Sequence, residues 1–166
     1  MDEPAFQSFY SETARALRAY VARVSGDRSQ VDDVVQESYL RLLRMPAAPD
    51  DPQQLRRLLF RIASNLMTDE WRRRRRARTA ADANALEPKG SSPDLALRLD
   101  MIRVFQQLAP QQRQMMWLAY VEGADHREIA ATLGLREGSV RVLLHRARRR
   151  LASLLQAVGR PRRTDG

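Results

Sequence analysis

The chain has 166 residues, 43% of them apolar and 30% charged, a composition typical of a folded globular protein. It contains no cysteine, which excludes disulfides, thiolate chemistry and most structural zinc sites. The net charge of +9 favours a polyanionic partner, and the lack of a long apolar run or a basic leader predicts a cytoplasmic protein without membrane insertion.

Helical periodicity extends along the chain without an alternating strand pattern. Apolar spacings of three, four and seven predict a first helix ending at Gly26, a second over 31–44 and a third over about 53–76. The predicted core of the second helix includes Leu43, and that of the third includes Trp71. Prolines interrupt the chain between these two helices, since proline lacks an amide donor and disfavours helix before it.

A small, polar stretch after the third helix predicts a flexible linker at 79–94. Further helical patterns follow over 95–159, and the last residues, 160–166, form a basic tail. The sequence therefore predicts an all-α fold of two small helical domains, 1–78 and 95–159, that are different modules because no internal repeat relates them.

Residues 126–145, HREIAATLGLREGSVRVLLH, fit a helix-turn-helix. Ala130 is small where two helices would cross, Gly134 suits the turn, and Val140 would bury the second helix. Asp125 and Glu128 have the spacing of a capping box at the start of the first helix. The match predicts a DNA-binding hairpin.

The charge is uneven, with a net charge of −2 over residues 1–70 and of +11 over residues 71–166. Within the basic part, arginines are concentrated in two places. Six lie among residues 72–78, where they surround a helix end and would neutralise phosphates. Others lie on the second helix of the hairpin, where an exposed arginine can donate two hydrogen bonds to guanine. A solvated basic helix is the alternative for either cluster, and a GC-rich genome would also raise the arginine content.

No cofactor, metal site or enzymatic activity is predicted. The only histidines, His126 and His145, fall on different helices without companions at metal spacing. The sequence also lacks a phosphate-binding glycine loop and a nucleophile elbow. Trp71 could stack on an unpaired base, but its helical phase with Ile62 and Leu66 favours packing in the core.

Three segments, in order, resemble sigma factors of the sigma-70 family. VDDVVQESYLRLLR (31–44) is similar to the part that docks on RNA polymerase, and LLFRIASNLMTDEWRRRRR (58–76) to the part that handles the minus-10 element. The stretch 108–151 resembles the minus-35-binding domain. The lack of a middle domain is typical of the extracytoplasmic-function group, so the resemblance implies a factor that brings core RNA polymerase to promoter DNA and helps to open it.

The resemblance also implies residue roles. The core-binding residues would be Asp32, Asp33, Gln36, Glu37 and Arg41. The minus-10 contacts would be the loop residues Pro49, Asp50, Asp51, Pro52, Gln53 and Gln54, which match a base-capturing loop, together with Asn65, Asp69, Arg72, Arg73, Arg74, Arg75 and Arg76. The minus-35 contacts would be Arg136, Ser139, Arg141, Val142, His145, Arg146, Arg149 and Arg150.

Other functions remain open at this stage. A polymerase-independent helix-turn-helix regulator is the first alternative, although it would normally carry a dimerisation module to match a palindromic site. A basic RNA-binding or membrane-surface protein is the second, and an enzyme the third. Control by an anti-sigma factor is an expectation that comes from the family alone.

Overall fold

The computed structural model describes residues 1–78 and 93–159, and helices make up most of that part of the chain. No strand occurs within these ranges, so the predicted all-α fold is confirmed. The predicted linker, except for 93 and 94, and the predicted tail lie outside the described residues. The helices are α1 (Glu3–Ser25), α2 (Val31–Leu43), α3 (Pro52–Ala77), α4 (Pro93–Gln106), α5 (Pro110–Tyr120), α6 (His126–Leu133) and α7 (Glu137–Gly159), with a 3₁₀ turn (Arg28–Gln30) before α2.

Helices α1, α2 and α3 pack together, and we call residues 1–78 the N-terminal unit. Leu17 and Tyr20 of α1 and Leu59 of α3 are fully buried, because the apolar faces of the helices meet there. The Tyr20 hydroxyl lies 2.7 Å from Ser64 Oγ, which satisfies both polar groups inside the core. Burial raises the pKa of the Tyr20 phenol. The phenol is therefore a neutral structural group.

The end of α2 departs from the predicted core. Leu42 is 1% exposed, whereas Leu43 is 45% exposed. Neighbouring residues of a helix point about 100° apart, so this last turn buries only one of the two. The core role predicted for Leu43 was wrong. Trp71 is partly buried and packs against the core as predicted, and Met67 is a fully buried residue that the predicted apolar set lacked.

Residues 93–159, which we call the C-terminal unit, contain the predicted helix-turn-helix in α6 and α7. Asp125 accepts from the Glu128 amide at 2.8 Å, and the Glu128 carboxylate accepts from the Asp125 amide at 3.1 Å, which closes the predicted capping box. Gly134 ends α6 at a φ of 66°, a left-handed conformation that favours glycine. Val140 is fully buried beneath α6. The predicted hairpin is therefore confirmed in its detail.

Candidate polymerase-binding and DNA-binding surfaces

The predicted core-docking residues lie near the start and outer side of α2. Asp32, Asp33 and Gln36 are exposed, and Glu37 is partly buried. Asp32 forms an ion pair with Arg18 of α1, and Arg41 Nε donates to Glu37 Oε1 at 2.7 Å. Asp33 has no ion pair within the described residues, so its carboxylate is the one most available to a partner.

Apolar side chains adjoin this acidic stripe. Leu40, Leu43 and Met45 are 37%, 45% and 40% exposed. Large apolar residues that a helix leaves in solvent beside charged ones are common in protein–protein contact surfaces. Sequence reasoning missed Leu40 and Met45 as surface residues, and it assigned Leu43 to the core. The exposed surface of α2 is therefore both acidic and apolar.

The predicted minus-10 loop is shorter than expected. Asp51 Oδ2 accepts from the Gln54 amide at 2.8 Å and so caps α3, whose first residue is Pro52. Gln53 and Gln54 therefore belong to the first helical turn rather than to a loop. Pro49 is partly buried, and the other five predicted residues of this segment are exposed.

One exposed stripe of α3 leads away from that turn. Arg61, Asn65, Asp69 and Arg72 are all exposed and follow one another at intervals of four, four and three residues. The structure thus brings the predicted Asn65, Asp69 and Arg72 onto one helix face. Arg61 joins them and was missed, although the same spacing, continued one turn back, would have found it.

The arginines at the end of α3 do not form a uniform cluster. Arg74 is held by Asp27 from the turn before α2 and by Glu70, whose Oε1 lies 3.2 Å from Arg74 Nε. Arg73 also pairs with Glu70, at 2.9 Å. The predicted phosphate contact of Arg74 thus meets an intramolecular partner 47 residues away in sequence. Arg72 and Arg75 are exposed and form no ion pair within the described residues.

The carboxylates that hold Arg74 have perturbed acidities. Hydrogen bonds from Ser29 and then from Arg74 lower the pKa of Asp27. A hydrogen bond from Gln30, with the charges of Arg73 and Arg74, lowers the pKa of Glu70. Both groups therefore stay ionised and keep Arg74 in a structural position.

The predicted minus-35 residues all lie in solvent, Arg136 just before α7 and the others on α7 itself. Val140, Leu144 and Ala147 face the core, and the predicted contact residues occupy the exposed remainder of the helix surface. Arg141 and Arg149 form no ion pair in the part of the chain that the structure describes. Arg148 differs, because its Nη1 donates to the Tyr120 hydroxyl at 2.8 Å. One face of α7 is thus buried in the core, and the opposite face exposes the guanidinium groups of Arg141 and Arg149 to solvent.

The two units are in contact, which the sequence did not indicate. Arg113 of α5 is buried, and its Nε donates to the Val24 carbonyl of α1 at 2.8 Å. Its Nη1 donates to the carbonyls of Gln106 and Leu108, and its guanidinium lies 5.7 Å from the centre of the Trp71 ring. Burial lowers the pKa of Arg113 to about 10. A buried cation held by carbonyls thus joins the units.

Further polar contacts line the boundary between α3 and the C-terminal unit. Arg56 Nη2 lies 2.5 Å from Glu122 Oε2, and Arg57 pairs with Glu128. Gln114 Nε2 donates to the Ser64 carbonyl at 3.3 Å. A cleft of about 380 Å³ lies along this boundary. Sequence reasoning missed these residues, since each partner lies more than 45 residues away along the chain.

Within the described residues, no cluster of three or more acidic or histidine side chains could hold a metal ion. No helix in these ranges is long and apolar enough to cross a membrane.

Comparison with known proteins matches both units to one family. The Sigma-70 region 2 model matches residues 9–77, and the Sigma-70 region 4 model matches residues 98–151. The ECF RNA polymerase sigma factor SigL of Mycobacterium tuberculosis is 36% identical over 159 residues, which cover 92% of this chain and 90% of SigL. The ECF RNA polymerase sigma factor EcfG of Rhodopseudomonas palustris is 30% identical, over 87% of this chain and 81% of EcfG.

Solved structures agree with this assignment. CnrH, in complex with the cytosolic domain of CnrY, is 31% identical and has a TM-score of 0.67 over 94% of this chain and 90% of CnrH. The sigma factor RpoE from Bartonella quintana, in complex with the anti-sigma factor NepR, shares the fold, with a TM-score of 0.72, 24% identity and coverage of 95% of this chain and 100% of RpoE.

The fold and its surfaces thus define a helical promoter-recognition protein of the sigma-70 type. The chain belongs to the extracytoplasmic-function (ECF) RNA polymerase sigma factors. It is a promoter-specific initiation factor that acts with core RNA polymerase on promoter DNA, as the resemblance implied. The family consists of transcription factors and not of enzymes.

Proposed function

We propose that the two units divide the work of initiation between them. Residues 1–78 would dock on core RNA polymerase and handle the minus-10 element, and residues 95–159 would bind the minus-35 element. Residues 79–94 would serve as the linker, and 160–166 as a basic tail. The observation that carries this division is the placement of charge, because acids dominate the exposed start of α2 whereas arginines dominate the exposed surface of α7.

Core docking is assigned to the exposed side of α2. Polar contacts with the polymerase would come from Asp33 and Gln36. The neighbouring side chains are fixed by ion pairs within the chain, Asp32 by Arg18 and Glu37 by Arg41. Leu40 and Leu43 add apolar area beside them. Charge complementarity at such a surface raises the association rate and selects the partner, while apolar burial supplies affinity.

Minus-10 contact is assigned to the start of α3 and to its exposed stripe. The segment Pro49–Gln54 would hold an unpaired base, and Asn65 offers an amide that can pair with a base edge. Arg72 and Arg75 are the arginines of the cluster that would bind phosphates, with Arg73 beside them. Asp69 lies on the same stripe, where a carboxylate suits a base amino group better than a phosphate.

Minus-35 contact is assigned to α7 in the major groove. Arg141 would contact a base edge, and Arg146, Arg149 and Arg150 would bind phosphates. Val142 is 50% exposed and could meet only a thymine methyl group or the groove surface. Arg136, Ser139 and His145 complete the exposed set.

A protein partner and a location belong to the same proposal. Both RpoE and CnrH were solved as complexes, the first with an anti-sigma factor and the second with a cytosolic domain. We infer that an anti-sigma factor also binds this chain. The chain itself would act in the cytoplasm, where polymerase and promoters meet, and would need no cofactor or catalytic residue of its own.

The docking assignment is tested by competition for core RNA polymerase. The double variant Asp33→Lys, Glu37→Lys should compete at least tenfold less well, because it reverses the charge of the docking stripe. Its binding to free DNA should stay level or rise. The matched control is Glu3→Lys, Glu12→Lys, which makes the same charge change on the exposed side of α1. Equal competition by both variants would remove α2 as the docking helix.

A further inference from the structure

Two partly buried acids of the C-terminal unit hold two arginines of the N-terminal unit. Glu122 Oε2 accepts from Arg56 Nη2 at 2.5 Å, and Glu128 pairs with Arg57. The carboxylates are more enclosed than the guanidinium groups, with 13% and 23% of their side chains exposed. A carboxylate and a phosphate present similar oxygen acceptors to arginine. The two acids therefore occupy positions in which phosphates would also be bound.

These ion pairs lie beside the proposed minus-10 segment. Gln53 lines the same cleft as Arg56, Arg57, Glu122 and Glu128. Arg56 is further fixed by the Phe60 ring, 5.0 Å from the guanidinium carbon to the ring centre. A DNA strand that reaches Gln53 would thus pass Arg56 and Arg57. With the units in contact, its phosphates compete with the two carboxylates.

We propose that Arg56 and Arg57 are phosphate-binding residues for the minus-10 strand, and that Glu122 and Glu128 occupy them while the two units are packed together. Separation of the units and binding of the strand are then coupled, and each favours the other by the same free energy. This inference rests on the proposed minus-10 role of the N-terminal unit.

Promoter geometry requires the two units to separate. The minus-10 and minus-35 elements lie roughly 25 base pairs apart, which is about 85 Å along duplex DNA at 3.4 Å for each base pair. In the structure α3 and α6 are in direct contact. A chain bound to both elements therefore has separated units, and its Arg56 and Arg57 have lost their carboxylate partners at the place where DNA phosphates arrive.

The other polar contacts between the units are suited to reversal. Gln106 donates to the Arg23 carbonyl at 2.5 Å, Gln114 to the Ser64 carbonyl, and Arg113 to the Val24 carbonyl. Water can replace each of these hydrogen bonds at little net cost. Arg113 is buried in the packed state, which lowers its pKa, and its guanidinium regains hydration when the units part.

The test uses the full chain and two readouts. The chain has no cysteine, so Ala19→Cys and Ser153→Cys, both at exposed helix positions, allow two dyes to report the separation of the units by energy transfer. Binding is measured with a short single-stranded DNA of mixed sequence across a range of salt. We expect Glu122→Gln, Glu128→Gln to lower energy transfer and to raise DNA affinity about fivefold. Its salt slope should steepen by about 1.4 units for two added phosphate contacts.

Two controls separate this exchange from a general gain of positive charge. Glu3→Gln, Glu12→Gln makes the same charge change on α1 and should leave energy transfer and salt slope unaltered. In the background Arg56→Gln, Arg57→Gln, the Glu122 and Glu128 changes should no longer raise affinity. The reversed pair Arg56→Glu, Glu122→Arg, which leaves the capping box of α6 intact, should keep energy transfer high but bind DNA less well than the unaltered chain.

An equal rise of affinity in the Arg56→Gln, Arg57→Gln background would overturn the proposal. So would separated units with an unchanged salt slope, or no change in either readout. If the minus-10 assignment itself is wrong, a different result is expected. The unaltered chain with core polymerase would then leave promoter DNA unmelted in permanganate footprinting. If that holoenzyme melts DNA and the Arg56→Gln, Arg57→Gln holoenzyme does so equally at every salt concentration, only the phosphate exchange is wrong.

Discussion

The end of α3 and the length of α7 are both rich in arginine, yet the structure uses them differently. On α3, Arg73 and Arg74 are engaged by carboxylates of their own unit. On α7, Arg141 and Arg149 are exposed and have no such partner among the residues that the structure describes, on a helix whose opposite face is buried. The same residue type thus supports a structure in one place and remains available for DNA in the other.

The difference shows that the placement of acids decides the role of an arginine cluster. Asp27 and Glu70 both reach Arg74 on α3, whereas the sequence of α7 itself contains no acid after Glu137 in its first turn. A guanidinium that already has a carboxylate gains less from a phosphate, because it must give up the first partner. Counting arginines therefore overstates the DNA-binding surface of α3.

The largest effect is expected on α7. Arg141→Ala should cost about 1–3 kcal/mol of binding to the preferred promoter and relax base preference at one position, because a bidentate base contact is lost. The measurement is holoenzyme binding to a promoter series with single base changes. Arg148→Ala is the matched control, since that side chain is held by Tyr120. Equal losses in the two variants, on specific and scrambled DNA alike, would mean that α7 is not placed in the groove as assigned.

A smaller effect is expected at the end of α3. Arg72→Ala, Arg75→Ala should weaken binding of single-stranded DNA of every sequence and make the salt slope shallower by about 1.4 units. Arg74→Ala is the comparison, because it should lower the melting temperature and leave the salt slope nearly unchanged. If Arg74→Ala changes the slope as much as the double variant does, the arginines of this helix end are equivalent.

The smallest effect concerns the acid that holds Arg74. Asp27→Asn keeps the hydrogen-bond acceptor of the 3₁₀ turn but removes the charge, so it should lower the free energy of unfolding at pH 7 by about 0.5–1 kcal/mol. The folded-state pKa of Asp27 is lowered, so its contribution is complete above about pH 3.9 and is lost as the pH falls through the folded value. Denaturant unfolding at several pH values measures this.

The difference between Asp27→Asn and the unaltered chain should accordingly disappear in acid. Asp50→Asn is the control, since Asp50 is exposed and forms no ion pair among the described residues. A stability difference for Asp27→Asn that is the same at acid and neutral pH would show that its charge does not stabilise the unit through Arg74.

Features encoded within one or two helical turns were predictable from sequence. The capping box of Asp125 and Glu128 and the turn at Gly134 depend on residues three to nine positions apart, so their geometry follows from local spacing. The pairing of Arg74 with Asp27 and the burial of Arg113 against Val24 depend on how distant helices meet. Periodicity gives the inward face of a helix but not the neighbour that covers it.

The DNA-binding surfaces, like the fold, were predictable from sequence only where local spacing determines them. Exposure of the α7 contact residues followed from the positions of Val140 and Leu144, whereas the place of Gln53 and Gln54 in the first turn of α3 depended on capping by Asp51. The proline-rich composition concealed that cap, because Pro52 serves as the first residue of a helix as readily as it breaks one. Leu43 was misplaced since either of two adjacent leucines fits the period.

The most direct test of the whole assignment is run-off transcription with bacterial core RNA polymerase on pooled genomic fragments. We expect discrete transcripts that require this chain and that are lost with Asp33→Lys, Glu37→Lys, while that variant still binds DNA. Transcripts that are the same with and without the chain, together with specific binding of the chain alone to palindromic duplexes, would contradict a sigma factor and support a polymerase-independent regulator.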